Sequence, residues 1–221
     1  DAVIKQGDYY FNCEITNNGS KHIFGAITSE GIAYITGVKS TIAGTDRINF
    51  HNLEVNYNVS TDTLNLNKFI IVNDTLLLSS GNIYLNDSIE LLNLLGVSSP
   101  GGLIGETGVN RLHGPSFIKV TNVPWNVPGN KTYEYLKGIG LSMNILSNLG
   151  TNSPHIYIYN FIQDCGGYAG SINRTFEIKN LSSTTGEADN FSVKFHDPEE
   201  QGFLTDLDSI HVYYSNDNRD T

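Results

Sequence analysis

The sequence predicts an all-β fold, namely an antiparallel β-sandwich or jelly roll of about twelve strands with one short helix over residues 88–96. Three observations lead to this prediction. Most segments alternate apolar and polar residues with the two-residue period of a strand. Turn residues such as Asn-Asp and Ser-Gly divide these segments at short intervals. No segment shows the βαβ order that would indicate an alternating α/β fold.

The strands follow in order from this alternation. The first is DYYFNCEIT, and HIFGAIT and GIAYITGV come next. RINFHNLEVNYNVS slips by one residue near His51 and Asn52, which predicts a β-bulge. Residues 63–87 predict three or four further short strands, and HIYIYNFI, SINRTFEIKNL, NFSVKFHD and SIHVYYSN predict the last ones.

Only NDSIELLNLLGV predicts a helix. Asp87 or Ser88 can cap its N-terminus, Glu90 lies in the first turn, and Gly96 stands where a left-handed C-terminal residue belongs. The leucines of this segment run almost all round the helix. We therefore expect the helix to close one end of the sandwich.

A chain of 221 residues is long enough for one large β domain, which we expect over residues 11–221 after a tail at residues 1–10. The stretch 97–115 is rich in Gly, Ser and Pro, and it is interpreted as a long excursion or, alternatively, as a subdomain break. The tail contains the apolar residues Ala2, Val3 and Ile4. It either folds back on its own domain or adds a strand to the sheet of a neighbour.

The composition limits the partners of the chain. The formal net charge is −10, with only 13 Lys plus Arg, and this excludes nucleic acid and anionic membrane surfaces as expected partners. Charged residues make up only 16% of the chain, so its polarity is mostly that of uncharged side chains. No apolar run approaches the roughly eighteen residues of a membrane span. A chain that begins at Asp1 rather than Met favours an exported protein at the cell surface or outside the cell.

Cys13 and Cys165 are the only cysteines. Two interpretations remain open, one disulfide in an oxidising compartment or two free buried thiols. A disulfide between them would remove about 4–5 kcal/mol of unfolded-state entropy in the chain model.

The sequence also contains eight N-x-[Ser/Thr] triplets, which are N-glycosylation acceptors in secreted proteins. They are more frequent than random placement of these residue types would give. Three of them fall within the stretch SINRTFEIKNLSSTTGEADNFS. The acceptor residues are Asn18, Asn58, Asn73, Asn86, Asn130, Asn173, Asn180 and Asn190.

No motif predicts catalysis or a cofactor. None of the six histidines has the spacing that places two imidazoles on one metal ion, and no nucleophile elbow or phosphate-binding loop occurs. The acidic stretch HDPEEQGFLTDLDS is a weak Ca²⁺ candidate or, alternatively, a solvated turn. Trp125, between two prolines, can present its ring to a sugar or anchor its loop in the core. The carboxylates of the Ca²⁺ candidate belong to Asp197, Glu199, Glu200, Asp206 and Asp208.

The dense acceptor triplets, the Asn-, Ser-, Thr- and Tyr-rich strands with few charges, the paucity of cysteine and the short apolar tail are similar to archaeal cell-surface proteins. Among these, the chain resembles the glycosylated thread subunits of Sulfolobales. The resemblance implies a secreted, N-glycosylated structural subunit of an extracellular filament or surface layer, which polymerises by donating its N-terminal strand. The alternatives are a surface adhesin or carbohydrate-binding module, and a virion coat or receptor-binding protein.

Overall fold

A computed structural model describes residues 7–19, 31–92, 102–107, 109–121, 131–133, 141–145, 155–160, 174–179 and 188–193. These residues form strands, turns and loops, and no helix occurs among them. The strands are β1 (Tyr9–Phe11), β2 (Ile15–Asn17), β3 (Ile32–Ile35), β4 (Thr41–Gly44), β5 (Ile48–Asn56), β6 (Thr63–Leu66), β7 (Ile70–Ser80), β8 (Asn82–Leu85), β9 (Ile89–Leu92), β10 (Gly102–Ile104), β11 (Leu112–His113), β12 (Phe117–Thr121), β13 (Lys131–Tyr133), β14 (Leu141–Ile145), β15 (His155–Asn160), β16 (Arg174–Lys179) and β17 (Ala188–Val193).

From β1 to β12 the chain winds between two parallel sheets. Sheet A has the order β1-β3-β5-β7-β9-β12, and sheet B has the order β11-β8-β6-β4-β2. The first eight strands alternate between the sheets, so each turn of the chain supplies one strand to sheet A and the next to sheet B. Every pairing among β1–β12 is parallel. This part of the chain is therefore a parallel β-solenoid.

Rows of stacked aliphatic side chains form the core of the solenoid. Ile48, Ile70, Ile89 and Ile118 are register partners on successive turns of sheet A, and all four are buried. In sheet B, the buried side chains of successive turns stack in the same way. Both sets belong to one hydrophobic cluster, so the two sheets face each other across a shared interior. Each such side chain contributes about 1.5–3 kcal/mol through burial.

The fifth turn is interrupted. The first half of β7 pairs with β9, through Ile70 and Ile89, while the second half pairs with β10, through Leu76 and Leu103. Strands β9 and β10 thus both lie against β7, one beside each half of it. The expected excursion at 97–115 therefore contains two strands of the solenoid, β10 and β11.

The side chains of asparagines connect successive turns. Asn52 donates from Nδ2 to the Gly31 carbonyl at 3.4 Å and accepts at Oδ1 from the Thr75 N–H at 3.1 Å. Asn82 donates to the Ser60 carbonyl at 3.1 Å and accepts from the Arg111 N–H at 3.1 Å. These amides satisfy backbone groups where the ladder of the sheets is irregular or ends.

After β12 the direction of pairing changes. Strand β12 pairs antiparallel with β15, and β15 pairs antiparallel with β16, so these strands extend sheet A. Strands β13, β14 and β17 form a separate antiparallel sheet.

The predicted antiparallel sandwich or jelly roll is wrong. The expected alternation of buried and solvent-facing residues is present, but β1–β12 pair in parallel with strands one turn away rather than with their neighbours in sequence. A two-residue period records only that one face of a strand is buried. It is the same in a hairpin and in a solenoid.

The predicted helix over 88–96 is also wrong within the part that the structure describes. Residues Ile89–Leu92 form β9, with Ile89 and Leu91 buried in the core. Asp87 does accept a backbone N–H, from Ser88 at 2.7 Å, but it does so in a turn rather than at a helix N-terminus. Parallel pairing with β7 and β12 overrides the local helical preference of the leucines.

The β-bulge predicted near His51 and Asn52 is confirmed, because the pairing of β5 with β7 shifts between Phe50 and Asn52. The expected tail at residues 1–10 lies mostly outside the described residues. Tyr9 and Tyr10 belong to β1 and pair with β3 of their own chain.

Candidate functional site

A stacked pair of tyrosines lies on the solvent side of sheet A. Tyr10 of β1 and Tyr34 of β3 are register partners, with ring centroids 4.6 Å apart and ring planes that differ by 6°. The Tyr10 side chain is 69% exposed. Because Tyr34 covers only one face of the Tyr10 ring, the opposite face is accessible to a ligand.

A fixed carboxylate continues this row of side chains. Glu54 of β5 is the register partner of Tyr34. Its Oε1 accepts hydrogen bonds from Ser79 Oγ at 2.7 Å and from Asn56 Nδ2 at 3.2 Å. Both donors are neutral, so they hold the carboxylate in place without cancelling its charge.

A second carboxylate lies at the start of β1. Asp8 Oδ1 accepts the backbone N–H of Ile32 at 3.2 Å, which fixes Asp8 to the next turn. Desolvation is the main cause that raises the pKa of Tyr34 above its ordinary value of 10.0, and the charge of Asp8, then Tyr10 and Glu54, raise it further. Asp8, Tyr10 and Glu54 thus all act on Tyr34, and we call these four residues the tyrosine patch.

Unpaired polar atoms are buried at the register shift between β5 and β7. They are Asn49 Oδ1, His51 Nδ1 and both amide atoms of Asn73, a side chain that is only 1% exposed. The Ile71 side chain, between Asn49 and Asn73, is 6% exposed although it does not belong to the core cluster. A buried polar atom without a partner costs about 1–3 kcal/mol, so this step is a locally unfavourable part of the fold.

An aromatic contact lies on sheet B. Tyr84 and His113 are register partners, with ring centroids 5.1 Å apart in an edge-to-face arrangement. Burial is the main cause that lowers the pKa of His113 below 6.5, and the charge of Arg111 lowers it further. His113 therefore favours its neutral form in the folded chain.

The structure places four of the eight predicted glycan acceptors among residues whose burial it describes. Asn18, Asn58 and Asn86 are exposed, and each lies outside the strands, at a turn. Asn86 donates from Nδ2 to Asn67 Oδ1 at 2.7 Å. Asn73 is buried inside β7, where a folded chain has no room for a glycan.

The other predicted site residues lie wholly or partly outside the described residues. Asn190 lies in β17. Cys13 is exposed, and its Sγ lies 3.8 Å from the Glu14 carbonyl oxygen. The disulfide with Cys165, which lies outside the described residues, stays a prediction. The remaining positions fall in undescribed segments: Ala2, Val3, Ile4, Trp125, Asn130, Cys165, Asn173, Asn180, Asp197, Glu199, Glu200, Asp206 and Asp208.

Within the described ranges, no group of three or more His, Cys, Asp or Glu side chains is arranged to hold a metal ion. The same residues contain no helix long and apolar enough to cross a bilayer.

The tyrosine patch was not predicted from the sequence. Tyr10 and Tyr34 stand in separate segments, DYY and AYI, and only the parallel pairing of β1 with β3 brings them together. The available signal was that each tyrosine follows the inward residue of its strand, namely Tyr9 and Ala33, so both belong to the outward set.

Strands β1–β12 thus form a parallel β-solenoid that carries an aromatic, acidic patch on sheet A. The chain matches no protein-family model, no curated protein and no solved structure.

Proposed function

We propose that this chain is a secreted, N-glycosylated structural subunit of an extracellular filament or surface layer, without catalytic activity. The observation that supports this proposal best is the stack of parallel turns in β1–β12, which encloses one hydrophobic core. Such a stack has the form of a rod whose outer surface is set turn by turn.

Three of the four acceptors whose burial is described have positions that agree with this role. Asn18, Asn58 and Asn86 lie at the ends of strands, where an attached glycan would extend from the rod without disturbing either the core rows or the strand pairing. A surface solvated by amides, hydroxyls and glycans changes little with pH and salt, which suits an exposed location.

Mass spectrometry of native material tests glycosylation. We expect glycan mass at Asn58 and its loss in Ser60→Ala, which removes the triplet but keeps the Ser60 carbonyl that binds Asn82. Thr75→Ala, which removes the triplet of the buried Asn73, is the matched control and should leave the glycan mass unchanged. Native protein without any glycan would contradict this part of the proposal.

We further propose that subunits assemble by strand addition of the tail before β1, through Ala2, Val3 and Ile4. A parallel solenoid can accept a further strand at the end of a sheet, and an extended peptide gains main-chain hydrogen bonds when it is added there. The tail available for this purpose is the chain before β1, since Tyr9 and Tyr10 pair within their own sheet.

Deletion of residues 1–6 tests assembly. We expect a folded monomer that does not form filaments, as seen by negative-stain electron microscopy and light scattering. A variant of full length with serine at positions 2, 3 and 4 separates loss of apolar strand pairing from loss of length, and it should also remain monomeric. Filaments formed by either variant would contradict strand donation, while the glycosylation test would stand.

A further inference from the structure

The accessible face of Tyr10 is the starting point for a second interaction. The ring is held by stacking on Tyr34, so it is pre-oriented even though it is 69% exposed. The face of an aromatic ring carries partial negative charge and attracts a cation within about 6 Å of its centroid.

The charges around the pair have the same sign. Asp8 lies two residues before Tyr10 in the sequence, just before β1. Glu54 is the register partner of Tyr34 on β5, the neighbouring strand of sheet A. Each carboxylate is fixed by neutral donors, and neither forms an ion pair within the described part of the chain. The patch therefore attracts a positive group and repels acidic ligands.

Among biological cations, a guanidinium fits this arrangement best. It is planar, so it stacks on an aromatic face, and its fork of N–H donors matches a carboxylate. An ammonium group is more strongly hydrated and has no plane to stack.

We propose that the tyrosine patch binds an arginine side chain that another protein presents on an extended segment. The guanidinium stacks on the free face of Tyr10 and donates to Asp8. This interaction does not depend on whether the chain polymerises or carries glycans.

Binding of a fluorescently labelled hexa-arginine peptide, followed by anisotropy at physiological salt, tests the proposal. A hexa-citrulline peptide has almost the same shape without charge and should not bind measurably. Tyr10→Leu, which keeps an apolar side chain without a π face, should weaken hexa-arginine binding about two- to five-fold, whereas Tyr10→Phe should bind like the unmodified chain.

A charge control separates the patch from the general negative charge of the protein. Asp8→Asn and Glu14→Gln each remove one carboxylate without changing side-chain shape, but Glu14 lies outside the patch, beside Thr16. Only Asp8→Asn should weaken binding, because Asp8 is the carboxylate to which the guanidinium donates. Equal effects of the two changes, or unchanged binding by Tyr10→Leu, would overturn the proposal in favour of nonspecific attraction.

A neutral oligosaccharide provides the remaining comparison, because sugar rings also stack on tyrosine. Cellohexaose binding that Tyr10→Leu abolishes, together with hexa-arginine binding that it leaves intact, would overturn the proposal and make the patch a saccharide site. Because Tyr10 and Glu14 are exposed, we expect their substitution to leave the fold intact. Circular dichroism of each variant checks this expectation.

Discussion

Replacing Gly114 with alanine tests the closeness of neighbouring turns. Gly114 has φ +125°, a conformation that side-chain-bearing residues rarely adopt. A Cβ at this position would lie 2.7 Å from the Leu85 carbonyl oxygen and 2.8 Å from its nitrogen. Both atoms belong to the backbone of the preceding turn, so no side-chain rotation relieves the contact.

The expected loss of stability follows from the positive φ and from the close contact with the Leu85 backbone. Backbone strain at a positive φ contributes about 1–3 kcal/mol, and overpacking against fixed atoms adds about 1–3 kcal/mol. We therefore expect Gly114→Ala to lower the free energy of unfolding by about 2–6 kcal/mol. Urea denaturation measures this change, with the same dependence of free energy on urea concentration fitted to both proteins.

Gly19→Ala is the matched control. A Cβ there would meet only Asn17 Oδ1, at 3.6 Å, and no positive φ is involved. It should change stability by less than about 0.5 kcal/mol, as surface substitutions usually do. If Gly114→Ala were as stable as Gly19→Ala, the turns would not stack at the distance described here.

Three further predictions concern stability. Asn73→Leu should raise the free energy of unfolding by about 1–3 kcal/mol in urea denaturation, because it removes two buried unpaired atoms; a decrease would show that the amide has a partner. Ile70→Ala should lower it by about 2–5 kcal/mol, because it opens a cavity in the central row; a change below 1 kcal/mol would contradict that row. The lowered pKa of His113 means that the unfolded chain binds more protons, so stability should fall as pH falls below 6.5. His113→Gln should show a smaller fall in urea midpoint between pH 7.5 and 5 than the unmodified chain, and an equal fall would assign the effect to other groups.

The inward face of β5 could be predicted from the sequence. Ile48, Phe50, Leu53 and Val55 are all buried, including the step of two outward residues at the bulge. Local alternation is sufficient for this result, because a strand with one buried face repeats every two residues wherever its partners lie.

The direction of pairing could not be predicted in the same way. Parallel partners in this fold lie a whole turn apart, as Ile35 and Val55 do, and successive turns differ in length. A repeat of fixed period, the usual sign of a solenoid, is therefore absent. The short turn segments that suggested hairpins instead join strands of different sheets, as Gly81 does between β7 and β8.

The structural role of several asparagines could not be predicted from the sequence either. Asn52, Asn82 and Asn110 satisfy backbone groups of neighbouring turns, which the linear sequence does not place beside them. Asn73 stands in an acceptor triplet and in a predicted Asn-Asp turn, yet it is buried in the middle of a strand. Residue type predicted polarity and turn preference, while the position in the stack decided which asparagines are available to solvent.

The interrupted fifth turn offers a position at which sequence could be inserted. Strands β9 and β10 are both anchored on β7, so the register of each is set independently of the peptide that joins them. We expect a peptide inserted between β9 and β10 to leave the rows on either side in register, because each strand keeps its own pairing with β7. Such an insertion would place an epitope or a small folded domain at a defined position along the stack of turns.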